Sequence, residues 1–313
     1  MHLTCHEDLS TESRDRIVTA ALEAGLTAQA AGPGAYLLFG DGDTAGLTEL
    51  PGVTGLVDGT PDLSLAARAD RSGTTPVRVG EVSIGTGFTV FAGPCAVEDE
   101  AQLIDLAHRV KAAGADMLRG GAYKPRTSPL SFRGLGVRGL EILARAREET
   151  GLPVVTEIVD TQDVAVVSEH ADMLQIGARN MQNYSLLVAA GRSGLPVFLK
   201  RGMGATIEEM IGAAGYVMLE GNPDVVLCER GIRTFNDELR NTLDLAAVPV
   251  LRHRSHLPVI ADPSHALGRA DFVPPMALAA AAAGAHGIML EVHDEPRRAL
   301  SDGPQALDPD LLP

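Results

Sequence analysis

Only three of the 313 residues are cysteine (Cys5, Cys95 and Cys228), and their uneven spacing builds no disulfide framework, so the thiols are expected to be reduced, as in the cytoplasm. Long hydrophobic runs are missing as well. The apolar stretches are strand-length and broken by Gly, Pro or charge, well short of the roughly 20 residues of a membrane span. The opening MHLTCHEDLSTESRD holds neither the basic nor the apolar segment of a secretory leader. Aromatic residues make up 4% of the chain, no Lys/Arg run occurs, and 41 acidic residues against 26 basic ones leave a net charge of −15. All three facts disfavour nucleic acid as a partner, and an anionic ligand must be held by a local basic pocket. Lysine is also rare, with three (Lys111, Lys124, Lys200) beside 23 arginines. A lysine kept in such a chain is a candidate for work that needs a compact ammonium. What is abundant is apolar residues, at 45%, enough to bury a full-sized core.

From about residue 88 onward, β-rich runs alternate with amphipathic, helix-like stretches. The runs are 88–93 (FTVFAG), 116–120 (DMLRG), 153–158 (PVVTEI), 172–178 (DMLQIGA), 196–201 (PVFLKR), 225–231 (VVLCERG), 258–265 (PVIADPSH) and 287–293 (GIMLEVH). Gly114, Gly151 and Gly284 read as helix stops. Eight βα repeats in about 225 residues, with runs that lack alternation, predict a (β/α)8 TIM barrel; a doubly wound sheet is the alternative. The first 70 residues differ in pattern and predict β-α-β-β-α-β, a small N-terminal ferredoxin-like (α+β) domain with a poor second helix (TAGLTELPGV). The stretch 67–75 (ARADRSGTT) reads as the linker; residues 71–87 take in its end and a hairpin (VRVGEVSIGTG) closing the barrel bottom, with the catalytic barrel at 88–313. The chain stops at Pro313, so the last barrel helix is expected to be short or absent.

Active sites of parallel barrels form at the C-terminal ends of the strands. Five cations stand at or just after four predicted strands (Arg119 and Lys124 at the second, then Arg179, Lys200 and Arg230), a set suited to a small polyanion. The same rim carries Cys95, His265 and Glu291, with Asp302 in the following loop. This mixed S, N, O set suits a borderline divalent transition ion with an open position. Taken singly, Cys95 reads as a buried hydrophobe, His265 as a hydrogen-bonded loop residue and Glu291 as a surface carboxylate; only the shared rim makes them a metal site. Glu157, at the third strand end, either orients a water or balances the cations. The G-x-G-x-x-G at Gly134, Gly136 and Gly139 follows no strand and lacks the context of a dinucleotide site. His256, His286 and His293 read as structural, Cys228 as core and Lys111 as solvated.

Nine ordered stretches, AGPCAVE, LRGGAYKPRTSPLSF, QIGARNMQN, LKRGM, LCERGIRTFN, RNTLDLAAVP, ADPSHALGR, GAHGIMLEVH and ALSDGPQAL, resemble 3-deoxy-D-arabino-heptulosonate 7-phosphate (DAHP) synthases of the type Iβ branch, over about residues 79–311. The resemblance implies a cytoplasmic transferase of the shikimate pathway, leading to aromatic amino acids. Its reaction is a metal-dependent condensation of phosphoenolpyruvate with erythrose 4-phosphate. The implied metal ligands are Cys95, His265, Glu291 and Asp302, for Mn, Co, Fe, Zn or a similar divalent ion. The implied phosphoenolpyruvate contacts are Arg119, Lys124, Gly177, Ala178, Arg179, Lys200 and Arg230, with Arg119, Lys124 and Lys200 also counted as catalytic beside Glu157. Arg126, Thr127 and Ser128 are the implied aldose-phosphate contacts. A homodimer or homotetramer is implied, and tyrosine or phenylalanine as an inhibitor acting through the N-terminal domain. The sister 3-deoxy-D-manno-octulosonate 8-phosphate synthases share the barrel and phosphoenolpyruvate but resemble K-A-N-R-S-S where this chain reads KPRTS. A catalytically silent aromatic amino-acid sensor barrel is a third reading, opposed by the intact ligand set.

Overall fold

The computed structural model describes residues 1–6, 8–30, 34–57, 65–68, 73–126, 128 and 130–312. Two compact units divide the chain, Met1–Leu65 and Ala66–Pro313. In the first, strand β1 (His2–Cys5) is followed by helix α1 (Thr11–Glu23), strands β2 (Thr27–Ala30) and β3 (Ala35–Phe39), a 3-10 turn at Leu47–Glu49 and strand β4 (Val53–Val57). The sheet order is β2-β3-β1-β4 with every pair antiparallel, the strand order of a ferredoxin-like split βαβ. Leu3, Ile17, Ala21, Leu26, Tyr36 and Leu38 form its core. The expected second helix is reduced to the single turn at Leu47–Glu49. Pro51 drives Leu50 to extended backbone (ψ 140°), which ends the helix as soon as it starts.

In the second unit a hairpin, β5 (Val77–Val79) and β6 (Val82–Ile84), precedes the barrel. The alternation then runs β7 (Thr89–Gly93), α2 (Glu100–Ala112), β8 (Met117–Arg119), α3 (Val137–Thr150), β9 (Val154–Ile158), α4 (Val164–Ser168), β10 (Met173–Ile176) and α5 (Tyr184–Arg192). It continues through β11 (Val197–Lys200), α6 (Ile207–Leu219), β12 (Val225–Glu229), α7 (Ala247–Arg254), β13 (Val259–Ala261), α8 (Pro263–Leu267), α9 (Val273–Ala282) and β14 (Gly287–Glu291). All eight barrel strands are parallel and close on each other, β14 pairing with β7. Phe91, Met117, Val155, Met173, Phe198, Val226, Cys228, Ile260 and Met289 fill the interior, and Val77, Val79 and Ile84 of the hairpin pack into the same cluster, so the bottom is closed. Closure requires one bare backbone at the mouth: a Cβ on Gly93 (φ 150°) would lie 2.0 Å from the Arg119 carbonyl oxygen.

The run 258–265 is not one strand. It stops at Ala261, and Asp262 then accepts the His265 backbone N–H at 2.9 Å as the N-cap of α8, with Pro263 at the first helical position. After β14 there are three 3-10 turns, and Leu307 bridges Val292 in parallel. Gly134 and Gly136 serve local backbone (φ 91° and 60°), and among the described residues no strand lies between β8 and them. His286 is tied to Thr74 and to the Val259 N–H, Cys228 lies in the barrel core, and Lys111 donates to the Thr150 carbonyl. Among the described residues no helix is long and apolar enough to cross a membrane.

Candidate active site

Four side chains meet at the C-terminal ends of β7 and β14. Cys95 follows β7, His265 sits in α8, Glu291 ends β14, and Asp302 lies in the segment after it. Their ligand atoms all lie within 4.8 Å of one another. Cys95 Sγ is 3.4 Å from Asp302 Oδ2 and 3.1 Å from Ser301 Oγ. His265 Nε2 is 3.0 Å from Glu291 Oε1, and its Nδ1 is 2.7 Å from Asp262 Oδ2. Asp302 holds a left-handed backbone (φ 55°), the one positive φ outside glycine among the described residues. Such a conformation costs about 1 kcal/mol or more and persists where the surroundings impose it.

The charges are mutually dependent. Burial alone would lower the His265 pKa, yet the Asp262 and Glu291 carboxylates raise it to about 9. Burial pushes Glu291 up, but His265 and Arg119 hold it well below the usual carboxylate range; His265 and Lys200 do the same for Asp262. The metal-free cluster is therefore an imidazolium caught among carboxylates. A divalent cation held by these four residues would take the place of that proton, and its binding would release it. A thiol, an imidazole and two carboxylates, two of the four fully buried or nearly so, fit a borderline divalent ion.

Beside the cluster lies a cavity of about 470 Å³. It is walled by Lys124, Arg126, Ser128, Glu157, Gly177, Ala178, Arg179, Lys200 and Arg230 from the sequence reading, and it touches His265 and Asp302. Arg119 is not in the wall. It lies beneath, its Nη1 donating to the Pro94 carbonyl at 2.6 Å and to Glu291 Oε1 at 3.0 Å. Thr127 lies outside the described residues. Lys124 Nζ donates to the Cys95 carbonyl at 2.9 Å; burial would lower its pKa, but Cys95 and Glu157 raise it and keep the ammonium charged. Lys200 Nζ donates to Asp262 Oδ2 at 2.6 Å, and Arg230 Nη2 to the His265 carbonyl at 3.0 Å. Arg119 Nε and Arg230 Nη1 are buried with no partner. Orphaned donors of this kind cost about 1–3 kcal/mol each, so a wall containing one suits an anion. Gly177 makes room for a carboxylate: a Cβ there would stand 1.9 Å from Glu157 Oε1.

The wall also contains Ser131, Gln175, Met203, Arg233, Arg240 and Asn241, none of which strand-end reasoning selects. Arg233, Arg240 and Asn241 sit deep in the loop between β12 and α7, beyond the strand end. Behind the cluster stand Asp262 and Gln305, the latter carried by the tail that pairs with β14 (Leu307 N–H to the Glu291 carbonyl, 2.8 Å). The RNT and DGPQ segments are the signals that would have found Arg240, Asn241 and Gln305.

A closed parallel barrel with a cationic cavity against a thiol-imidazole-carboxylate cluster defines an enzyme that handles small, multiply anionic molecules. The family described as the DAHP synthetase I family matches residues 68–312, and the chain belongs to it. It is 53% identical over 249 residues to the phospho-2-dehydro-3-deoxyheptonate aldolase of Thermotoga maritima, covering 79% of this chain and 74% of that one. A 2-dehydro-3-deoxyphosphooctonate aldolase of Nitratidesulfovibrio vulgaris is 38% identical over 242 residues, 72% of this chain and 88% of that one. The crystal structure of the Thermotoga maritima DAHP synthase superposes with a TM-score of 0.79 at 44% identity, covering 99% of this chain and 93% of the other.

Proposed function

We infer that the chain is an aldol-type transferase that condenses phosphoenolpyruvate with erythrose 4-phosphate and water, giving DAHP and phosphate. The observation that carries this is one cavity joining a set of cations to the Cys95, His265, Glu291 and Asp302 cluster. Phosphoenolpyruvate presents a carboxylate and a phosphate on one enol carbon. In this reading Arg179 and Arg230 grip its anionic ends as forks, and the Lys124 and Lys200 ammoniums approach between them. C3 of the bound enol then attacks the aldehyde carbon, water adds to C2, and phosphate departs with C–O cleavage. Glu157, facing the cavity, orients that water. Cys95, His265, Glu291 and Asp302 would hold a divalent ion, which when bound supplies Lewis acidity toward the aldehyde oxygen. The ion's identity is left to the donor set: Mn, Co, Fe and Zn all suit it.

The second reading, octulosonate synthesis, is favoured by the 38% relative and opposed by the 53% one and by Lys124-Pro125-Arg126. Loss of phosphoenolpyruvate ultraviolet absorbance decides: consumption with erythrose 4-phosphate supports our reading, while consumption with arabinose 5-phosphate alone overturns it.

Arg126, Thr127 and Ser128 are assigned to the aldose phosphate. Arg126 Nε donates to the Phe132 carbonyl at 2.8 Å, which holds its guanidinium at the edge of the cavity. Arg126→Ala should raise the KM for erythrose 4-phosphate by about 30-fold, the loss of one charge-assisted contact of about 2 kcal/mol, with phosphoenolpyruvate affinity little changed. Equal defects toward both substrates would sink this division.

Placement in the cytoplasm and a homodimer or homotetramer belong to the same reading; exposed Leu130 and Phe235, on loops at the barrel mouth, support the assembly. The Met1–Leu65 unit is assigned the response to tyrosine or phenylalanine, supported by its strand order. Removing residues 1–65 keeps Ala66, whose carbonyl accepts the Ser255 hydroxyl at 2.5 Å. The shortened chain should turn over and ignore both amino acids. Full-length protein that already ignores them at millimolar concentration ends the regulatory reading.

A further inference from the structure

Gln305 is buried, and its side chain stands between two charges. Its Nε2 donates to Glu291 Oε2 at 2.6 Å, and its Oε1 accepts from Arg240 Nη1 at 2.8 Å. The same Arg240 Nη1 lies 3.3 Å from Asp302 Oδ2. The amide has one workable orientation, because the reverse would set its oxygen against the Glu291 carboxylate and its nitrogen against the guanidinium. Glu291 Oε1, in turn, faces His265 Nε2 and Arg119 Nη1, both at 3.0 Å. With both oxygens engaged, the carboxylate cannot rotate about its last torsion without breaking a contact. Asp302 needs such support more than most, since its backbone is held at φ 55°.

We propose that Gln305 and Arg240 form a single brace that orients the Glu291 and Asp302 carboxylates toward one cation and so sets the affinity of the cluster for it. The proposal rests on the metal reading given above. Gln305 and Arg240 are positioning residues: they act through the two carboxylates. The backbone fixes the brace from behind, since Gly303–Gln305 is a 3-10 turn and the next residues pair with the end of β14. Arg240, with 41% of its side chain exposed, closes the brace from the solvent side. Partners behind metal ligands commonly change affinity by about 10- to 100-fold, by fixing ligand orientation.

The test is Co²⁺ binding to the metal-stripped full chain, without substrates, by competition with a chromophoric chelator and by absorption. The unsubstituted chain should bind one Co²⁺ with a thiolate-to-cobalt band that Cys95→Ala removes. Absence of that band overturns the metal reading, and the brace with it. Gln305→Met, which keeps the volume and removes both hydrogen bonds, should weaken Co²⁺ by about tenfold, shift the ligand-field bands and retain the thiolate band. Arg240→Met should weaken it in the same direction. The double variant should be no weaker than Gln305→Met, because both changes break one unit. With the parent binding normally, affinities within twofold for both variants, or fully additive losses, overturn the brace alone. If circular dichroism shows Gln305→Met unfolded, the half-exposed Arg240→Met decides by itself: unchanged affinity overturns the proposal.

Discussion

Chelation of the divalent ion should cut turnover by about three orders of magnitude, and re-addition of Mn²⁺ or Co²⁺ should restore it. Polarising a carbonyl is worth several kcal/mol of barrier, and about 4 kcal/mol is a thousandfold in rate. The cluster offers no equivalent substitute. The proton carried by His265 without an ion is shared among Asp262 and Glu291, whose carboxylates raise its pKa to about 9, so it is a weak acid held by anions. Cys95→Ser probes the donor set from the other side. Serine keeps the size but not the soft, ionisable sulfur, so Co²⁺ and Zn²⁺ should lose far more affinity than Mg²⁺. Phosphoenolpyruvate consumption by metal-stripped protein, with residual ion checked by mass spectrometry, is the measurement. Full activity without ion would show that the four residues serve structure only.

The barrel was legible because parallel strands buried on both faces write themselves as unbroken apolar runs, as PVVTEI does in β9, where all five strand residues are buried. The bottom hairpin is written differently, as alternation: it is antiparallel, Val77 and Val79 are buried on either side of exposed Arg78, and with Ile84 they join the barrel interior. Two readings went astray where a proline changed the backbone. In PVIADPSH the apolar run outlasts the strand, because Asp262 caps a five-residue helix that starts at Pro263. In TAGLTELPGV the helix pattern ends in one turn before Pro51. At the site, the sequence could name residues at strand ends, since barrel geometry places them on one rim. Strand-end placement could not name Arg240 or Gln305, which lie in the RNT and DGPQ segments beyond the strands. Their meeting depends on how the loop after β12 and the tail after β14 fold over the mouth, which no periodicity records. Asp262 was in view as a strand-end residue, yet its contacts with Lys200 and His265 depend on rotamers and on the cap of α8.

Lys200→Met should lower kcat/KM for phosphoenolpyruvate by about a thousandfold and leave the KM for erythrose 4-phosphate nearly unchanged. Lys200 ends β11 with its side chain 4% exposed, and its Nζ bonds Asp262 Oδ2 at 2.6 Å while lining the cavity. Two losses combine in the variant. The ammonium that would meet the substrate's anionic end disappears, at about 2–3 kcal/mol for a charge-assisted hydrogen bond. Asp262 also loses a partner and is left to His265 alone, which shifts an imidazole of the Cys95, His265, Glu291 and Asp302 cluster and lowers kcat. Methionine retains most of the stem, so a cavity does not confuse the result. Breaking a buried pair costs up to about 3–5 kcal/mol of stability, and a lowered Tm is expected alongside. Folding loss and contact loss separate by substrate: a merely destabilised enzyme, assayed well below its Tm, loses both substrates in proportion. A fivefold or smaller change in kcat/KM for phosphoenolpyruvate would remove Lys200 from the site and leave its pair with Asp262 as a prop for α8.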